Sequence, residues 1–169
     1  MITTLSSRGV LVAALVTGSL ATLGQLAPAA ADDTPPCVAA HLKLVRGSAE
    51  GAAGTHYQHF RITNVGTWTC RLAGYPTFRF RDAAGDPLGF ASQPAGQPVT
   101  VVRLEPGQHT RITVGTVNPD VTMASDCHAA QAASVAITLP HRPHVYHRAL
   151  SLRVCTTEQY RPTAFPVGF

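Results

Sequence analysis

Hydrophobic and polar residues alternate with a period of two through most of the chain, which is the signature of half-buried strands. The pattern is densest between Tyr57 and Arg81. There Phe60 and Ile62 fall on one side, and Tyr57, His59, Arg61 and Thr63 on the other. Asn64, Val65 and Gly66 end this strand, because Asn tolerates and Gly readily adopts a left-handed backbone. Trp68, Cys70 and Leu72 alternate with Thr69 and Arg71 as a second short strand. Gly74 and Pro76 bend the chain, and Phe78 and Phe80 then alternate with Arg79 and Arg81. Aromatic groups inward and guanidinium groups outward fit an antiparallel sheet with one wet face.

The remaining segments follow the same logic. Leu42 and Leu44 mark a first strand over residues 41–46. Residues 47–55 are rich in Gly and Ala and predict a loop. A hairpin turn is expected over residues 82–86, then a weak edge strand over 87–91, where Pro87 cannot donate to a ladder. Residues 92–98 predict a loop. Residues 99–104 and 108–114 predict two strands paired as an antiparallel hairpin, with Glu105, Pro106 and Gly107 at the turn. Residues 116–132 read as irregular, with room for one helical turn over 120–128. Strands follow over 133–139 and 149–155, joined by a polar connection over 141–147. The Pro-broken end, residues 156–169, is expected to lie across the molecule. About eight short strands with no long amphipathic helix predict an all-β fold: a two-sheet antiparallel β-sandwich, immunoglobulin-like.

The N-terminus departs from this pattern. Arg8 precedes an apolar run without charge, and Ala29 and Ala31 form an A-x-A cleavage site, so residues 1–31 read as a signal peptide and residues 32–169 as one domain. The run is short for a membrane span, so no stable membrane insertion is expected after cleavage. Residues 32–169 can bury one real core. Cys37, Cys70, Cys127 and Cys155 all follow the cleavage site, and an even count in an exported chain predicts two disulfides. Three pairings are possible. Cys37–Cys70 with Cys127–Cys155 joins neighbours in sequence and is the favoured set; each bridge would contribute about 3–4 kcal/mol.

Charge changes the picture little. With Arg8 removed, 12 basic residues face nine acidic ones, a net charge of +3. This excess permits attraction to an anionic wall polymer, but no block of five basic residues exists, so no nucleic-acid partner is expected.

Candidate chemistry is sparse. His141, His144 and His147 stand three apart and offer a metal-binding alternative. In an extended Pro-rich segment such rings would sit roughly 9 Å apart and would not converge without a sharp turn. A zinc site from the four cysteines lacks the close pairs such sites use. Met123 is the only methionine after the leader, which argues against a copper carrier. Ser125, Asp126 and His128 are close in sequence, but no G-x-S-x-G elbow accompanies them. No H-E-x-x-H, phosphate loop or dinucleotide motif occurs. The expectation is a non-catalytic, monomeric module without cofactor that binds another secreted protein or a wall polymer; a secreted hydrolase or an enzyme inhibitor is the alternative. Trp68, Arg71 and Tyr75 are the binding candidates, being the residue types that anchor interfaces.

The order Cys37, Glu50-Gly51-Ala52-Ala53-Gly54, Arg61-Ile62-Thr63-Asn64-Val65-Gly66 and Thr69-Cys70-Arg71-Leu72-Ala73-Gly74-Tyr75-Pro76 resembles a secreted bacterial family. This is the domain of unknown function 4232 family, common in Gram-positive bacteria of high GC content. Asp82 to Gly85, Leu104-Glu105-Pro106-Gly107, Cys127 and Cys155 continue the resemblance over nearly all of residues 32–169. It implies an exported, disulfide-bonded β-sandwich and brings no catalytic residues. The lipid-attachment cysteine found in some members is missing here, which implies a released protein or one held in the wall non-covalently.

Overall fold

The computed structural model describes residues 33–121 and 126–169. The expected leader, Met123 and Ser125 lie outside the described residues. Among the described residues ten strands follow in order: β1 (Leu42–Ala52), β2 (Thr55–Asn64), β3 (Cys70–Leu72), β4 (Thr77–Arg81), β5 (Gln93–Pro94), β6 (Val102–Leu104), β7 (His109–Val117), β8 (Ala129–Thr138), β9 (Val145–Cys155) and β10 (Thr163–Ala164). They form a β-sandwich. One layer is a five-stranded sheet in the order β1-β2-β7-β10-β5. Against it pack a three-stranded sheet, β4-β8-β9, and a separate β3-β6 pair. All pairings between strands are antiparallel except β5 with β10.

The core follows the period-two pattern. Leu44, Phe60, Ile62, Ile112 and Val114 point inward from the five-stranded sheet, and Phe78, Phe80, Val135, Ile137 and Leu150 meet them. Phe60 and Phe78 stack across the layers with ring centroids 5.9 Å apart. The disulfides are Cys37–Cys70 and Cys127–Cys155, the pairing of sequence neighbours. Edge strand β1 is covered from the other layer: Arg148 Nε donates to the Leu44 carbonyl at 2.7 Å, and the Tyr146 hydroxyl donates to the Ala39 carbonyl at 3.1 Å. The Arg148 bond occupies an acceptor of β1 that an open edge would offer to another chain, and the Tyr146 bond ties down the turn before the strand.

Several expectations fail, each for a physical reason. Residues 47–55 are not a loop. β1 continues through Ala52 and turns on Ala53 and Gly54 alone, both at positive φ (48° and 77°) as a tight hairpin turn requires. The strand survives its glycines through one bulge: Arg46 opposes Phe60, but Ala49 opposes Gln58. The buried Gln58 amide binds the bulge, with Nε2 donating to the carbonyls of Gly47 (3.2 Å) and Ser48 (2.9 Å). Residues 99–104 shorten to β6, which pairs with β3; β7 pairs with β2 and β10, so the Pro-Gly turn joins two sheets instead of closing a hairpin. Asn64 directs this crossing. Its backbone bonds Gly107 and Gln108, and its Nδ2 donates to the Leu104 carbonyl at 2.9 Å.

Asn64 therefore ends β2 by side-chain hydrogen bonding; its φ is not positive. Gly66 is required for space, since a Cβ there would sit 2.9 Å from His41 Cβ. Residues 87–91 make one bridge, Arg81 to Pro87, and no strand. Trp68 lies outside β3. β7 and β8 both extend into the segment read as irregular, and β9 begins at Val145, so His147 is a strand residue. The C-terminal end does not lie across the sandwich; β10 enters the five-stranded sheet beside β7.

Candidate functional site

The outer face of the five-stranded sheet carries the densest chemistry. Cross-strand register places Lys43, Thr63 and His109 in one rank, and Val45, Arg61 and Arg111 in the next. His59 and Thr113 form a third rank, and Glu50, Tyr57 and Gly115 a fourth. Arg61 and Arg111 are thus direct cross-strand neighbours, an arrangement that like charges normally oppose. No carboxylate among the described residues lies within ion-pair distance of Lys43 or Arg61. Arg111 Nε donates to the Phe169 main-chain oxygen at 2.9 Å.

His59 falls on the outer face, as the alternation places it, yet is buried, at 7% exposure. Its ring joins two flanking strands: Nδ1 lies 2.9 Å from Thr113 Oγ1 and Nε2 lies 3.1 Å from Glu50 Oε1. An ionised Glu50 can only accept, so Nε2 carries the proton, and in the neutral ring Nδ1 accepts from the Thr113 hydroxyl. Burial of the ring is compatible with this because both nitrogens are occupied.

Two recesses meet at His59 and Arg111. One, of about 460 Å³, is lined by Gly47, Ser48, Arg61, His109 and Gly168 besides these two. The other, of about 250 Å³, is lined by Glu50, Tyr57, Thr113, Phe165 and Phe169. Phe165 and Phe169 stack with centroids 4.7 Å apart, and Tyr57 tilts against Phe165 at 5.9 Å. Phe169 leaves 49% of its surface to solvent. The groove therefore has a basic compartment and an aromatic one.

A hydroxyl, an imidazole and a carboxylate in line invite comparison with acyl-transfer relays. Thr113 is 3% exposed, and its hydroxyl is bonded to His59 Nδ1 across β2 and β7. His56, Asp120 and Ser151 also share a recess of about 250 Å³, where burial and the nearby Arg46 guanidinium hold the His56 imidazole below its ordinary pKa. No hydrogen bond links those three: Asp120 pairs with Arg153, and Ser151 accepts from Gln131. Asp126 accepts from Gln159 and Tyr160, while His128 contributes its carbonyl to Thr156.

The residues singled out by type are dispersed. Trp68 is 47% exposed and packs edge-on against His41, with centroids 4.4 Å apart. Arg71 Nε donates to the Thr34 carbonyl at 2.8 Å, and the Tyr75 hydroxyl donates to the Gln97 carbonyl. Arg71 and His141 line one recess and Tyr75 and His141 another, on either side of Pro140 and Arg142. His144 packs edge-on to Tyr146, and His147 is exposed on β9. Among the described residues no three His, Cys, Asp or Glu side chains gather as metal ligands.

The family model described as Domain of unknown function (DUF4232) matches residues 37–166, from the first cysteine to beyond the last strand. The chain belongs to that family. No curated protein matches it.

Proposed function

We propose that this protein is a non-catalytic binding module working outside the cytoplasmic membrane, with the outer face of the five-stranded sheet as its ligand face. Two disulfides fit an oxidising compartment. Among the described residues no helix is long and apolar enough to cross a membrane. The observation that carries the reading is the Arg61–Arg111 pair. Two guanidinium groups opposed across strands, of which Arg61 has no carboxylate partner among the described residues, oppose folding, and a groove beside them reaches an exposed aromatic ring. Residues that weaken the fold locally while facing a groove are best explained by what they bind.

The test is retention of the purified protein on isolated cell wall and on immobilised culture supernatant proteins from the source organism. The double variant Arg61→Ala/Arg111→Ala should lose retention, while Trp68→Ala/Tyr75→Ala should keep it. The opposite outcome would transfer the ligand face to the Trp68–Tyr75 end and refute the proposal.

A further inference from the structure

We infer that the groove accepts a segment of acidic glycan, with a sugar carboxylate in the basic compartment and an adjacent sugar ring against the aromatic one. The inference rests on the reading of this face as the ligand face. Opposed cross-strand residues place their Cβ atoms about 4.5–5.5 Å apart. Two guanidinium groups projecting from such a pair can both reach one carboxylate, and their planar forks match its two oxygens. Arg111 is already oriented by its bond to the Phe169 main-chain oxygen. The same residue lines both compartments, so an anion held there brings the next ring onto Phe169. The C–H face of a pyranose suits the negative face of an exposed aromatic ring. Glu50, whose side chain is 68% exposed, stands in the aromatic compartment, where it can accept from sugar hydroxyls.

Other polyanions fit less well. An acidic peptide gains most from adding a strand to a free sheet edge. β2 and β7, which carry the groove, are each paired on both sides. A nucleic acid needs phosphate after phosphate neutralised. Here Glu50 puts negative charge in the aromatic compartment, and the cations of the ranked positions lie in two adjacent ranks only.

The probes are polygalacturonate, its fully methyl-esterified form and single-stranded oligodeoxythymidine, titrated calorimetrically into the intact protein. Polygalacturonate should bind, and esterification should weaken it at least about tenfold, the loss expected for one charge-assisted anchor. Arg61→Ser/Arg111→Ser should give a similar loss, and Phe169→Ala roughly a threefold to tenfold loss. Trp68→Ala should leave binding unchanged. Circular dichroism and thermal midpoints near wild type would show that the variants fold; if the double variant does not, Arg61→Lys with Arg111→Lys keeps the charge but loses the fork, and should still weaken binding. Equal binding of the ester, indifference to the arginine changes, or tighter binding of the oligonucleotide would each overturn the inference. Groove-dependent wall retention without polygalacturonate binding would sink the glycan and leave the ligand face standing. Loss of both would sink both.

Discussion

β2 presents two unlike surfaces. Inward it offers Gln58, Phe60 and Ile62, all at most 1% exposed. Outward it offers Tyr57, His59, Arg61 and Thr63, of which only His59 is buried. The inner surface is held by volume: Phe60 stacks on Phe78, and the one polar residue, Gln58, spends its amide on the β1 bulge. The outer surface is held by hydrogen bonds from strand to strand, and it places two arginines side by side. The contrast teaches that one strand can divide its labour. Burial on one side stabilises enough to tolerate a mildly unfavourable charge arrangement on the other.

Substitutions on the two faces should therefore separate in size and in sign. Phe60→Ala should cost most, about 3–5 kcal/mol, from lost burial and a residual cavity. In a domain of this size the thermal midpoint should fall by roughly 10–20 °C. Gln58→Ala should follow at about 2–3 kcal/mol, because the carbonyls of Gly47 and Ser48 lose their donor. Denaturant unfolding would check both. On the outer face, Thr113→Val keeps shape and strand preference but strands His59 Nδ1, at about 1–2 kcal/mol. A cost above that of Phe60→Ala would invert the proposed asymmetry. Arg61→Thr should have the smallest effect and the opposite sign, a gain of about 0.2–1 kcal/mol from relief of the facing Arg111. Destabilisation by Arg61→Thr would mean that the arginine serves the fold, and the case for a ligand-directed charge pair would lose its basis.

The same division governs what could be read in advance. Phe60, Ile62, Phe78 and Phe80 announce their inward face by alternation alone, and the structure buries all four. Outward, alternation grouped Tyr57, His59 and Arg61 correctly but could not show that His59 is covered. Glu50 and Thr113 lie nine and 54 residues from it in sequence. Trp68, Arg71 and Tyr75 attract notice by residue type, yet each is engaged locally, with His41, the Thr34 carbonyl and the Gln97 carbonyl. A usable signal for the groove did exist: Tyr57, His59 and Arg61 share one face of a single strand, with no apolar residue among them.

Local chemistry alone determined the all-β class and the inward aromatic positions, because strand alternation is a property of nearby residues; it favoured one of three cysteine pairings, and the fold selected it. Only the tertiary structure decided that Gly47 to Ala52 is strand, that β6 leaves β7 for β3, and that Arg61 faces Arg111. Each of these outcomes depends on a remote partner: the Gln58 amide for the bulge, Asn64 for the crossing, the β2–β7 register for the arginines. Glycine-rich backbone and a Pro-Gly turn are compatible with several continuations, and the hydrogen-bond partner supplied from elsewhere in the chain selects one.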